Sequence, residues 1–292
     1  MDKVLKFLKA FSEENQLKLA KATGYFLSFG LISAKPFMSL NQDATVKEGL
    51  AATFLLQALK TWLAETSLNH MSGGMRKAGL EGDVLNFFPP NRRTMEDFAT
   101  AANALGGMEE VVTWQSAQQL TGVKRALQNT IIEMVTQDDA DAAAVIEKVQ
   151  EVMTETGMNE SDVIALVWTA LLNAVEWSKK PEQVADQALR HIKAYHSVLG
   201  AFAKSLKSQV LLLVRIQNFS YDNQNFLKIF NKICLLLYKA DVVGEDALVE
   251  FYTKAHSSKG KDVFLAQLKP MIEWLQEAET ESEGEEEEEE EK

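Results

Sequence analysis

The residues whose types and spacing suit chemistry are acids and aromatics near the C-terminal end of the chain. Glu273, Trp274 and Glu277 lie within one helical pattern, and seven consecutive glutamates follow at 285–291. Residues 280–292 hold nine acids and one lysine, so they carry −8 of the total formal charge of −12. Carboxylates concentrated in one segment attract cations over long distances, and an indole ring adds a cation–π contact. This pattern predicts non-covalent capture of a basic partner.

An earlier segment, 237–252, combines the same residue types, because acids alternate there with apolar residues and an aromatic pair follows them. In the later segment, apolar residues recur at helical spacing from Phe264 to Leu275 and predict a buried stripe. We therefore expect two aromatic and acidic segments to converge near one end of the fold. Taken one at a time, Trp274 and Tyr252 fit core or half-buried packing residues better, so the binding interpretation rests on the joint pattern. The candidate partner-binding residues are the acids and aromatics of these segments and of the tail: Asp241, Glu245, Asp246, Tyr252, Glu273, Trp274, Glu277, Glu279, Glu281 and Glu283.

No sequence signature of catalysis or metal binding is present. The four histidines are in no metal-binding spacing, and the chain has no nucleophile elbow, phosphate-cradling glycine loop or dinucleotide fingerprint. The single cysteine, Cys234, lies in an apolar run and predicts a buried structural thiol in a reducing compartment. We expect no enzyme, no catalytic residue, no metal and no cofactor.

Composition favours a folded, nearly all-α protein of the cytoplasm. Apolar residues make up 46% of the 292 residues, whereas Gly (15) and Pro (5) are sparse. The negative net charge argues against direct nucleic-acid binding, which requires a positive surface. No apolar run is long enough to span a bilayer, so no membrane partner is expected.

Helical patterns fill the chain between glycine and proline breaks, such as the glycine-rich stretch 72–82 and the pair Gly106 and Gly107. After an apolar stripe that begins at Val4, helices are expected at 17–31, 44–65, 94–105, 111–133, 140–154, 162–178, 181–199, 202–217, 221–239, 245–255 and 263–279. Asn159 suits a helix cap and Pro181 a first helical position. These lengths and spacings predict a repeat-like stack of antiparallel helical hairpins.

The helical pattern becomes denser after Thr113, where we expect a domain boundary. The expected division is an N-terminal helical domain at 1–113, a C-terminal helical domain at 114–279 packed with it, and a disordered acidic tail at 280–292. The helix through 163–175 is apolar nearly all round and is expected to be central core.

Motifs along essentially the whole chain match a known pattern. They include Val-Trp at 167–168, Val-Glu-Trp-Ser-Lys-Lys at 175–180, Tyr-Asp-Asn at 221–223 and the stretch 255–265. Together with the two aromatic and acidic segments, they resemble the initiation factor five mimic proteins, also called basic leucine zipper and two-tryptophan domain proteins. A similar two-tryptophan domain ends initiation factor five and the epsilon subunit of initiation factor two B.

The resemblance implies a HEAT/armadillo-like fold, with a MIF4G/HEAT-like domain followed by a two-tryptophan domain. It implies a non-catalytic regulator that binds the lysine-rich tail of the initiation factor two beta subunit and also initiation factor three. By competing with factor five, which carries a GTPase-activating module, such a protein would repress initiation and tighten start-codon selection. Family members carry a further N-terminal stretch, so we expect this chain to be a truncated or short form.

Two residues depart from the family pattern, and two others suggest regulation. The family usually has tryptophan at the position of Phe251 and a residue other than proline at that of Pro270. We expect Phe251 to keep apolar packing without the indole N–H, and Pro270 to kink the last helix unless it falls in its first turn. Thr280 and Ser282 each precede an acid by three residues and are candidate phosphorylation sites.

A different class of function stays open from the residues alone. The chain would then be a general helical-repeat scaffold or transport adaptor that binds through its helical surface, with an acidic tail that only keeps it soluble. An enzyme would need a constellation that folding assembles without a sequence signature.

Overall fold

The computed structural model describes residues 1–137 and 141–290, without the side chains of Pro181 and of 278–290. All regular elements in these ranges are helices, which confirms the all-α prediction. Contacts divide the chain into two compact units, Met1–Val123 and Lys124–Lys292. Both this division and the one expected near Thr113 fall within one continuous helix, Glu109–Val135, and Gly122 lies beside the observed division.

The first unit surrounds one apolar core. Its helices are α1 (Asp2–Lys6), α2 (Glu13–Ser28), α3 (Asp43–Lys47), α4 (Leu50–Glu65), α5 (Leu68–Lys77), α6 (Met95–Leu105) and the first part of α7 (Glu109–Val135), with 3₁₀ turns at Leu8–Ala10, Lys35–Leu40, Val84–Phe87 and Pro90–Arg92. Helices α2 and α4 approach closely at Gly24. A Cβ there would lie 2.6 Å from the Ala58 carbonyl oxygen and 2.6 Å from Thr61 Cβ, so the packing requires glycine.

The glycine-rich stretch 72–82 is not the uninterrupted break that the sequence predicts. Helix α5 runs through Gly73 and Gly74. A Cβ on Gly74 would lie 2.4 Å from the Trp62 ring, so this glycine makes room for a buried indole. Only after α5 does Gly79 supply a left-handed turn, with φ of 74°. Likewise, the single helix expected at 44–65 is broken by left-handed Gly49 into α3 and α4.

The second unit holds the candidate site. Its helices are the rest of α7, α8 (Ala142–Thr156), α9 (Glu160–Asn173), α10 (Pro181–Ala194), α11 (His196–Ala201), α12 (Leu206–Asp222), α13 (Gln224–Leu227), α14 (Phe230–Lys239), α15 (Glu245–Glu250) with a π-helical turn at Phe251–Ala255, and α16 (Lys261–Glu290). The predicted core helix is confirmed, because Val163, Val167 and Leu171 of α9 are buried. Cys234 is buried too, and burial raises the pKa of its thiol.

Several expected helix ends are confirmed in detail. The Asn159 side chain caps α9 by accepting from the Asp162 amide at 2.9 Å, and Pro181 occupies the first turn of α10. Gly106 and Gly107 both have positive φ and end α6. These positions behave as expected because caps and glycine turns depend on local chemistry.

The helix expected at 162–178 ends early, at Asn173. The departing backbone is held by Gln187 of α10, which accepts from the Ser178 amide and donates to the Glu176 carbonyl, each at 3.0 Å. A glutamine of the next helix, 9 and 11 residues further along the chain, thus satisfies backbone groups that a helix would otherwise satisfy. The predictions at 181–199 and 221–239 are wrong in a related way, since each span holds two shorter helices.

Candidate partner-binding surface

The last helix presents its acids and its tryptophan away from the core. The predicted stripe is confirmed by the burial of Phe264, Leu268, Ile272 and Leu275 of α16. The stripe packs towards α14, where the Phe230 and Phe264 ring centroids are 4.6 Å apart. Glu273, Trp274 and Glu277 lie on another face and are exposed. Helical spacing alone therefore separates the packing residues from the candidate binding residues.

Trp274 is supported on one side and open on the other. Its side chain is 52% exposed, and its ring meets Tyr238 of α14 edge to face, with centroids 6.1 Å apart. Nearby, Lys269 Nζ lies 3.6 Å from Glu273 Oε1. An indole with one solvent-facing side next to carboxylates can receive the methylene stem and ammonium of a lysine.

A tight turn after α14 carries Asp241. Among the described residues it is the only non-glycine with positive φ, at 53°. The Asp241 amide donates to the Tyr238 carbonyl at 3.0 Å, and the Val242 amide donates to the Leu237 carbonyl at 2.9 Å. Val242 is buried and anchors the turn, whereas Asp241 is exposed. The turn thus places the Asp241 carboxylate on the surface, at the cost of a left-handed backbone at a non-glycine residue.

Helix α15 contributes acids at its start and an aromatic anchor at its end. Glu245 and Asp246 occupy its first turn, where backbone amides favour carboxylates. Phe251 is buried, with its ring centroid 6.1 Å from that of Phe230, so it keeps the apolar packing expected of it. Tyr252 is half-buried and is the member of the pair that reaches the surface.

Gln217 of α12 fixes the loop between the two aromatic and acidic segments. Its buried Nε2 donates to the carbonyls of Ser257 (2.9 Å) and Lys259 (2.8 Å), and its Oε1 accepts from the Ser257 amide at 2.7 Å. The loop then turns at Gly260, whose φ is 61° and where a Cβ would lie 2.8 Å from the Phe264 ring. This arrangement determines where α16 begins.

The structure brings part of the predicted site together. Helix α15 and its π-helical turn contact α16, so the two segments lie side by side. Pro270 lies well inside α16, where it removes one backbone donor. The tail candidates lie outside the described side chains, and their roles stay predictions: Glu279, Glu281, Glu283, Thr280 and Ser282.

Two residues that shape this surface were missed as site residues. Tyr238 supports Trp274, and Gln217 holds the loop. For Tyr238 the sequence contains a weak signal, because it lies four residues after Cys234 in the apolar pattern of α14. Nothing near Gln217 in the sequence indicates its role, because its partners lie 40 and 42 residues away.

The described part of the chain contains no group of His, Cys, Asp or Glu arranged to hold a metal ion. Within the same residues, no helix combines the length and apolarity that crossing a membrane requires. His191 forms a hydrogen bond through Nε2 to the Leu171 carbonyl at 2.8 Å, and burial lowers its pKa. A hydrogen bond to the backbone therefore occupies this ring nitrogen.

Comparison with known proteins matches both units. Residues 1–126 match a family model described as the 5MP1/2 HEAT domain, and 208–291 match one described as eIF4-gamma/eIF5/eIF2-epsilon. The chain is 43% identical to eIF5-mimic protein 1 of Homo sapiens and of Mus musculus over 279 residues, or 96% of this chain and 66% of each relative. It is 38% identical to eIF5-mimic protein 2 of Gallus gallus over 277 residues, covering 95% of this chain and 66% of that relative.

Proposed function

The chain belongs to the eIF5-mimic protein family, and on that basis we propose that it is a non-catalytic regulator of translation initiation. It acts by imitating the C-terminal domain of initiation factor five. Its partners are the lysine-rich beta subunit of initiation factor two and initiation factor three, and its place of action is the cytoplasm. By occupying these partners it represses initiation and tightens start-codon selection. The chain spans 66% of the length of the curated relatives it matches, so the activity of a whole relative is itself part of the proposal.

The observation that carries the proposal is the open face of α16. Trp274 is half exposed beside Glu273 and Glu277, while the opposite face of the helix is committed to the core. Charge gives long-range attraction to a polylysine segment, and the indole gives a short-range contact that rewards a correctly placed ammonium. Asp241 and Asp246 of the neighbouring segment are exposed as well.

Competition follows from binding without catalysis. A protein that occupies the same lysine-rich segment as factor five lowers the free concentration of that segment by mass action. Under this proposal it holds the partner without stimulating GTP hydrolysis.

The proposal is tested by titrating the chain with a fluorescent lysine-rich peptide from low to high salt. The variant Glu273→Lys with Glu277→Lys removes two carboxylates from the open face of α16 and adds two like charges. We expect affinity to fall steeply with salt in the parent and to drop by on the order of a hundredfold in the variant.

The matched control is Glu147→Lys with Glu151→Lys on α8. These exposed acids have the same four-residue spacing, and Glu151 pairs with Lys148 at 2.6 Å much as Glu273 pairs with Lys269. The control changes net charge equally. Equal loss of affinity in both variants would show a nonspecific charge effect and would remove the proposed site.

The scaffold alternative makes the opposite prediction for the tail. If the tail only improves solubility, deleting 280–292 leaves the affinity for the lysine-rich peptide unchanged. If those acids take part in capture, the deletion weakens binding and flattens its salt dependence.

A further inference from the structure

A second surface of the same unit has the opposite charge. A groove of about 510 Å³ lies between α10 and α14, and apolar side chains form its floor. Leu189 contributes from α10, and Leu235 and Leu236 contribute from α14. Leu235 is 38% exposed and adds apolar surface to this floor.

Three lysines surround this floor. Lys193 lies on the α10 side, and Lys232 and Lys239 lie on the α14 side. All three are exposed, none has an ion pair with a described residue, and the described residues that line the groove include no acid. In a chain with a net charge of −12, three unpaired cations around an apolar groove stand out from the general surface.

The geometry specifies the shape of an occupant. Lys232 and Lys239 are seven residues apart on one helix, so their stems emerge about 10 Å apart along the groove at 1.5 Å per residue. An amphipathic helix with leucine-like residues on one edge and carboxylates two turns apart would place its apolar side on the floor and one acid near each lysine. A lysine-rich segment is repelled by the same groove.

We propose that this groove, lined by Leu189, Leu235, Leu236, Lys193, Lys232 and Lys239, docks an acidic amphipathic helix of a partner protein. The groove is separate from the acidic face of α16 and takes a partner of the opposite charge. One chain thus holds a basic and an acidic protein segment at the same time. The proposal does not depend on capture of a lysine-rich segment at α16, so each site can fail without the other.

The test uses the full chain and a fluorescein-labelled model peptide of about 18 residues, with leucines on one helical face and glutamates flanking them. Binding is followed by fluorescence anisotropy at low and physiological salt. Lys232→Glu with Lys239→Glu reverses the charge of one rim, and we expect the dissociation constant to rise at least about tenfold. Leu235→Ser removes apolar surface from the floor of the groove and should weaken binding about threefold to tenfold. Because Leu235 is already exposed, we expect the substitution to leave the fold intact.

Lys204→Glu with Lys207→Glu is the matched control, since both lysines are exposed in the same unit and the change in net charge is identical. The proposal is supported if the control binds the peptide like the parent, and if a peptide with serine in place of leucine does not bind. Equal weakening in both double variants, or no effect of the rim variant, would overturn it. Binding that emerges only after deletion of 280–292 would also overturn it, because the groove would then belong to the acidic tail of the chain itself.

The groove variant separates the two sites. Lys232→Glu with Lys239→Glu should leave the affinity for the lysine-rich peptide at α16 within about threefold of the parent. Loss of the acidic peptide alone assigns the groove, whatever the outcome at α16.

Discussion

Replacing Gln217 with leucine tests whether one buried side chain organises the loop between the two aromatic and acidic segments. Leucine has a similar volume, so the substitution removes three hydrogen bonds without opening a large cavity. Each such bond contributes about 0.5–1.5 kcal/mol net, which predicts a loss of about 3 kcal/mol in the free energy of unfolding of the second unit. With a denaturant slope of about 2 kcal/mol per molar urea, the midpoint should fall by about 1.5 M.

Two measurements check this effect. Urea titration followed by tryptophan fluorescence gives the midpoint, and hydrogen exchange reports on the Ser257 amide, which donates to Gln217 Oε1. We expect that amide to exchange faster in Gln217→Leu than in the parent protein. The increase should be larger than that of the amides within α9. The control is Gln183→Leu, because Gln183 is exposed and accepts a single hydrogen bond, from the Ser178 hydroxyl at 2.9 Å. It should change stability by less than about 0.5 kcal/mol.

A stability of Gln217→Leu within about 0.5 kcal/mol of the parent, with unchanged exchange at Ser257, would refute the role assigned to this side chain. The loop would then be held by its own turn geometry. Loss of stability with unchanged exchange at Ser257 would refute it equally, since the energy would reside elsewhere in α12.

Three further outcomes are expected. Trp274→Ala should weaken capture of a lysine-rich peptide about fivefold to tenfold, while Trp274→Phe retains part of the affinity and both leave the thermal midpoint nearly unchanged, because the side chain is half exposed. Gly74→Ala should destabilise the first unit by about 1–3 kcal/mol in denaturant titrations, because the added Cβ meets the Trp62 ring; Gly73→Ala, where nothing lies within 4 Å, should not. Burial lowers the pKa of His191 despite its hydrogen bond to the Leu171 carbonyl, so the unfolded chain takes up the proton first as pH falls. Stability that is present above the ordinary pKa of 6.5 is then lost as pH falls through the lower pKa of the folded chain, and His191→Gln should remove that loss in unfolding titrations between pH 7 and 5.

Local chemistry made much of the fold predictable. The cap at Asn159, the turn at Gly106 and the buried stripe of α16 each follow from residues within a few positions of one another. The pattern left open whether Trp274 packs in the core or faces solvent, and the structure leaves its side chain 52% exposed.

Contacts between distant segments account for what the sequence did not predict. Helix α9 ends early because Gln187 satisfies the backbone near Ser178, and Gly74 is helical because Trp62 needs its space. The lysines of the groove were also overlooked, because Lys193 and Lys232 come together only when α10 packs beside α14. In each case the relevant partner belongs to a different element of the fold, and a periodicity read along one helix does not reveal it.

The backbone of Asp241 has a consequence for any laboratory evolution of this protein. A non-glycine residue at φ of 53° costs on the order of 1 kcal/mol, which glycine would relieve. A screen that rewards heat resistance alone would therefore enrich Asp241→Gly and discard a surface carboxylate without any sign of damage in the melting curve. Only a screen that also rewards capture of a cationic ligand would keep the aspartate. The ratio of aspartate to glycine at this position among the surviving variants would therefore report whether the carboxylate contributes to binding.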